Sequence, residues 1–237
     1  MSTHDARFVR PALATLCVAS CAALVACGGT VCVSSDGSCG GGNELPSVAV
    51  SGTAATGKAL ASASVNFSCA QGAGGALSDG SGHYSASFNA TLPCIITATS
   101  GSTTPHSLAF AGGTFNTTPE TELMLVYLAS QLGTSEASLI AGFPSNALFQ
   151  QVLANETDVL AAQSAVVANL QQHYAVTLST PAFLTTPFVV GQGGVDTDLG
   201  MLATAGVIDA NGLPDPAAVS LLAAAGQAHP VVAGSSP

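Results

Sequence analysis

Positive charge is what this chain has least of. Its 237 residues carry three Lys or Arg against 13 Asp or Glu, a formal net charge of -10. Two of the three are Arg7 and Arg10, so Lys58 stands alone in everything that follows. A groove that neutralises phosphates needs clustered basic side chains, which excludes nucleic acid as a partner. The same shortage removes the polybasic segment that draws a protein to anionic head groups. There is no Trp, and aromatic residues make up 5% of the chain, too few for a carbohydrate-stacking surface or an aromatic cage. Solubility must rest on hydroxyl and amide groups plus a net negative field. Catalytic signatures are also missing: the chain has no Gly-x-Ser-x-Gly elbow, no Ser-x-x-Lys and no His-Glu-x-x-His.

What is present starts at the N-terminal end. Arg7 and Arg10 precede an apolar run from Ala12 to Ala26, broken only by Thr15 and Ser20, which stops at Leu24-Val25-Ala26-Cys27. A basic start, a short apolar stretch and small residues before a cut are the order of a secretory signal, here residues 1–26. The run is shorter than the roughly 20 residues of a spanning helix, so removal is expected rather than retention. The last four residues resemble the lipobox of bacterial lipoprotein precursors. That resemblance implies a thioether diacylglycerol on Cys27, cleavage before it, and N-acylation by a long chain such as palmitate. Two or three chains, at about 0.8 kcal/mol per buried methylene, anchor firmly where one does not. Val18-Ala19-Ser20-Cys21 fits the box more loosely, and the other reading is an ordinary signal peptide beside a coincidental cysteine. Gly28 stands where lipoproteins held at the inner membrane carry Asp. The expected address is therefore the bacterial cell envelope at the outer membrane, on its periplasmic face or at the surface.

Cutting before Cys27 leaves about 210 residues, enough for one large or two small units with a real core. It also leaves Cys32, Cys39, Cys69 and Cys94 beside the lipidated residue, an even number suited to an oxidising compartment. Three pairings are possible. Proximity in sequence, together with the division into units below, selects Cys32 with Cys39 and Cys69 with Cys94. No paired short spacing of the zinc type exists among them, so no metal or cofactor is expected.

Residues 27–46 are a lipidated, glycine-rich tether without apolar periodicity. From 47 to 117 the pattern changes to short alternating runs. Val48 and Val50 form one stripe, Ala63, Val65 and Phe67 a second, and Tyr84, Ala86 and Phe88 a third. Cys94, Ile96 and Ala98 form a fourth, and His106, Leu108 and Phe110 a fifth. Asp79-Gly80-Ser81-Gly82 supplies a tight hairpin. Six or seven strands in about 70 residues suit a small antiparallel β-sandwich. Val50-Ser51-Gly52-Thr53, Gly57 to Val65 and Asp79-Gly80-Ser81-Gly82-His83-Tyr84 resemble the carboxypeptidase regulatory-like, transthyretin-like sandwich. In that family the glycines set turns and the aromatic packs between sheets, so the resemblance implies a structural, non-catalytic module over about a third of the chain.

Residues 118–226 read as helical, giving an α+β chain overall. Thr117 or Thr118 caps a first helix with Pro119 in its first turn; if Thr117 caps, Glu120 sits at N3 and completes a capping box. Leu123, Val126, Tyr127 and Ser130 line one face. The junction is similar to an "N-x-T-P-x-T" step in exported bacterial lipoproteins, and Glu120 stands where that pattern has an apolar residue. A shorter helix ends at Gly142-Phe143-Pro144. Phe149, Leu153, Leu160, Val167, Leu170 and Tyr174 predict one long amphipathic helix over 145–174. Helices over 196–205 and from Asp215-Pro216 to Gly226 follow, and residues 227–237 are read as a loose tail.

His83, His106, His173 and His229 are scattered and are read as structural or solvated. Asp196-Thr197-Asp198 and Asp209-Ala210-Asn211-Gly212 lack the twelve-residue calcium pattern and read as turns or caps. Glu120 and Glu122, like Glu156 and Asp158, are two apart on helices and diverge. The expectation is thus a non-catalytic envelope lipoprotein that binds, displays or scaffolds, its partner an envelope protein or ligand that the residues do not name. Two alternatives stay open. One is an envelope hydrolase whose site converges only in three dimensions; the other is a binder of an apolar ligand near Phe143, Phe149, Phe183 or Phe188.

Overall fold

The computed structural model describes residues 44–231, so Cys27, Cys32 and Cys39 lie outside the described residues. Five strands come first: β1 (Ser47–Thr53), β2 (Ser64–Leu77), β3 (His83–Thr99), β4 (His106–Ala109) and β5 (Gly113–Thr114). Six α-helices follow among the described residues: α1 (Pro119–Gln131), α2 (Glu136–Gly142), α3 (Ala147–Ala154), α4 (Glu156–Tyr174), α5 (Val195–Thr204) and α6 (Pro216–Gln227). The chain is α+β, as its patterning predicts. The described residues form one compact unit in which strands and helices share a core.

The strands run in the order β2-β3-β1-β5, with β4 also on β3. The stripes at Tyr84 and at Cys94, expected as separate strands, are two parts of β3. No turn divides them because the ladder continues across the junction, Ala90 facing Gly72 and Thr91 facing Gln71. The first part of β3 pairs with β1, and the second pairs with both β2 and β4. The sheet is mixed rather than antiparallel throughout, since β5 joins β1 in parallel after the chain has passed through β2, β3 and β4. Alternation holds on β2 and at the start of β3, where Val65, Phe67 and Cys69, and Tyr84 and Ala86, face inward. It fails for the expected stripes at Cys94 and His106, because Cys94 to Ile96 and Ser107 to Ala109 are buried on both faces. The hairpin at residues 79–82 also forms. Asp79 accepts N–H bonds from Ser81 at 2.8 Å and from His83 at 3.0 Å, and these bonds, with the Ser81 hydroxyl foremost, hold its carboxyl below the usual range.

Cys69 and Cys94 face each other across β2 and β3 and form a disulfide, 25 residues apart in sequence. Closing a loop of that length is worth about 3 kcal/mol in the chain-entropy model. Replacing both cysteines with Ser is therefore expected to lower the unfolding free energy by about that amount in urea titrations. A loss below about 1 kcal/mol would mean the ladder alone holds this register.

The cap of α1 is Thr118, not Thr117. Thr121 stands at N3, where its hydroxyl oxygen accepts the Thr118 N–H at 3.0 Å, and Glu120 falls one place short of closing a box. The single apolar face expected for α1 is an underestimate, because Leu123 to Ser130 are buried without a break. A helix apolar on every side must be covered on every side. Contacts with α2, α4, α6 and β4 provide that cover. The tightest is with α6, where a methyl on Gly226 would lie 2.4 Å from the Tyr127 carbonyl oxygen, so only glycine allows this approach.

The expected long helix over 145–174 is two helices. Asn155 breaks it, its side chain accepting the N–H groups of Thr157 and Asp158 at 3.0 and 3.4 Å and so starting α4 afresh. The buried stripe of α4 is Val159, Ala162, Gln163, Val166 and Leu170, rotated from the expected Leu160 and Val167. Asp215 caps α6 as predicted. No helix among the described residues is long and apolar enough to cross a membrane.

Candidate functional site

Three titratable side chains from three elements meet at one edge of the molecule. His106 opens β4, Glu122 lies in the first turn of α1, and Glu136 opens α2. One ligating atom from each lies within 4.8 Å of the other two. The Nδ1 atom of His106 is 3.1 Å and 3.2 Å from the two carboxylate oxygens of Glu122. The His106 backbone N–H also donates to Glu122 Oε2, so imidazole and carboxylate are held at two points. The Thr121 hydroxyl lies 2.8 Å from the His106 carbonyl and ties β4 to α1 beside the pair.

The His106 and Glu122 side chains are 20% and 16% exposed, so the cluster is sheltered yet open to solvent on one side. Glu136 is more awkwardly placed. Its Oε1 atom is removed from solvent and meets no N–H or hydroxyl donor. Burial, with the facing charge of Glu122 and a carboxyl–carboxyl hydrogen bond to it, pushes the Glu136 carboxyl well above the ordinary range. No Lys or Arg relieves this crowding: Lys58, the one such residue among those described, is exposed in the connection between β1 and β2.

Glu120 diverges from Glu122, as the two-residue spacing predicts. It is wholly buried, Oε2 accepting from the Thr118 hydroxyl at 3.2 Å and Oε1 without a partner. Burial, with the charge of Asp198 adding to it, raises the Glu120 carboxyl to about 8.

The other candidates are not drawn together. His83, His173 and His229 are exposed and apart from the cluster. His106 does not match their solvated character, being partly buried and paired. The hydrogen bonds of its ring go to Glu122, and no hydroxyl among the described residues is bonded to it. Asp198 accepts the N–H groups of Ser179 and Thr180 at 2.9 and 2.8 Å, and Asp196 accepts that of Gly191 at 2.9 Å. Asp209 closes its own turn through Asn211 and Leu213. Phe143 and Phe183 are fully buried in the core, while Phe188 lines an open pocket of about 380 Å³ with Thr53 and His83. A larger groove of about 670 Å³ runs beside β1, from Pro46 and Val48 to Leu92 and Gly113.

Glu136 escaped sequence reading altogether. It stands fourteen positions from Glu122 and thirty from His106, and no spacing rule links such residues until the helices pack. Compared with known proteins, the chain matches no family model, no curated protein and no solved structure.

Proposed function

We propose that the chain is a bacterial envelope lipoprotein, held at the outer membrane by acyl chains on Cys27 and acting by non-catalytic binding, display or scaffolding. The observation that carries this is Leu24-Val25-Ala26-Cys27 at the end of a short apolar run behind two arginines. The Cys69–Cys94 disulfide supports it, since such bonds persist outside the cytoplasm. In this reading residues 27–46 hold the folded body off the membrane, with a second disulfide between Cys32 and Cys39. The strands of residues 47–117 act as a transthyretin-like module, a scaffold on which the helices pack. The partner is an envelope protein or ligand reached by the tethered body.

The test is metabolic labelling with an alkyne fatty acid, followed by fractionation. The wild-type chain should take up label and sediment with membranes. Cys27→Ala should take up none and leave the membrane fraction or accumulate at precursor size. Equal labelling of the two, or none in the wild type, would sink the proposal.

A further inference from the structure

We propose that His106, Glu122 and Glu136 form a binding site for one divalent cation of the zinc class. The geometry of the donors comes first. His106 Nδ1 and Glu122 Oε1 are 3.1 Å apart. Two ligands across a tetrahedral zinc with bonds near 2.0–2.1 Å stand about 3.3 Å apart, so this edge of the site is already at its working length. All three donor atoms fall within 4.8 Å of one another, and closing the widest gap asks for at most about 1.5 Å of side-chain movement.

Charge is the second argument. Two carboxylates face each other at a sheltered position with no Lys or Arg beside them among the described residues. With both carboxyls ionised, His106 could offset only one of the two negative charges, so the metal-free cluster keeps a proton on Glu136. A divalent cation balances the cluster, and imidazole with carboxylate is a donor set suited to zinc.

The third argument is Glu136 Oε1. Buried acceptors are partnered as a rule, and this one meets no N–H or hydroxyl donor; the Glu136 carboxyl has only the Glu122 carboxyl to bond with, which takes a shared proton. A metal bond would satisfy both carboxylates in place of that proton. The surroundings also resemble a supporting shell: the His106 N–H orients Glu122, and Thr121 holds the strand that carries His106. The exposed side of the cluster leaves room for water or a partner's side chain at a fourth position. Calcium, which wants six to eight oxygen ligands, fits three donors with a nitrogen among them poorly.

The competing occupant is a proton shared between the two carboxylates, and the test separates the two. The full chain is purified from envelopes in detergent without reductant, free thiols are alkylated, and metal is stripped with chelator. Isothermal titration with zinc chloride should give one saturable site with a Kd at or below about 10 μM, and calcium chloride should give none comparable. Glu136→Gln and His106→Ala should each weaken zinc binding at least tenfold, while His83→Ala, at an exposed histidine elsewhere, should leave it unchanged. Glu136→Gln keeps shape and remains informative if His106→Ala does not fold. Zinc should also raise the melting temperature of the wild type and not of Glu136→Gln. The proposal fails if no site tighter than about 100 μM is found, or if all three variants bind zinc like the wild type. It fails equally if Glu136→Gln raises the melting temperature while zinc leaves that of the wild type unmoved, the signature of the shared proton.

Discussion

Asn116→Ala should lower the unfolding free energy by about 3–5 kcal/mol, a loss large enough to leave much of the chain unfolded at 37 °C. Asn116 is fully buried just before α1, and every polar atom of its side chain is used. Its oxygen accepts the Thr53 N–H at 3.2 Å, from the end of β1. Its nitrogen donates to the carbonyls of Phe183 at 2.8 Å and Thr186 at 2.7 Å, in the connection between α4 and α5. The backbone of the same residue donates to Leu184 at 2.7 Å, and Leu184 donates in turn to Gln163 on α4 at 3.1 Å. A single side chain thus fastens the sheet to a connection that carries no regular structure of its own. Truncation would strand one donor and two acceptors where water has poor access, at about 1–3 kcal/mol each, and the partial relaxation of the loop sets the lower bound. Urea unfolding followed by far-ultraviolet circular dichroism would measure the effect. Strand and helix signals should still move together, because both belong to one compact unit. A change below about 1 kcal/mol would mean that the residue 183–188 segment docks by its apolar side chains alone.

Glu120→Gln should stabilise the protein at pH 8 and have little effect at pH 4. Burial raises the Glu120 carboxyl from its ordinary 4.5 to about 8, so the folded chain keeps a proton that the unfolded chain releases. The folded state binds more protons, and stability therefore falls as pH rises. The contribution is fully present below 4.5, is lost between 4.5 and about 8, and changes no further above that. At 1.36 kcal/mol per pH interval of one, the loss is on the order of 3–5 kcal/mol across the window. Gln keeps the volume and the acceptor for Thr118 and cannot ionise, so the gap between variant and wild type should open steadily through neutral pH. Glu120→Leu should do the same and add apolar burial. Taking the difference between two chains cancels the other titrating groups, including Glu136. Parallel stability curves for wild type and both variants from pH 5 to pH 9 would contradict a buried, protonated Glu120.

Much of the local architecture is legible without coordinates, for a physical reason. Pro119 at the start of α1, Asp215 at the start of α6 and the Asp79 hairpin each depend on contacts spanning two to four residues. The alternation of Val65, Phe67 and Cys69 reports a two-faced strand for the same reason. Errors fall where a local signal competes with a longer one. Asn155 is polar enough to sit on a helix surface, and it reads as one more residue of a long stripe until its side chain is seen capping α4. Ala90 and Thr91 separate two stripes in the sequence, and only their partners on β2 show that the strand never stops. Glu120 reads as a first-turn acid and a candidate capping-box residue; packing turned it inward.

By itself, then, the sequence determined the features carried by near neighbours in the chain: the α+β class, most helix starts, and the Cys69–Cys94 pairing. Only the tertiary structure decided that Asn116 would bind β1 to the residue 183–188 segment, and that His106, Glu122 and Glu136 would meet. Those encounters join residues from fourteen to seventy positions apart. No backbone periodicity carries information over such separations; they arise when buried faces choose their partners, and that choice is made by the whole core at once.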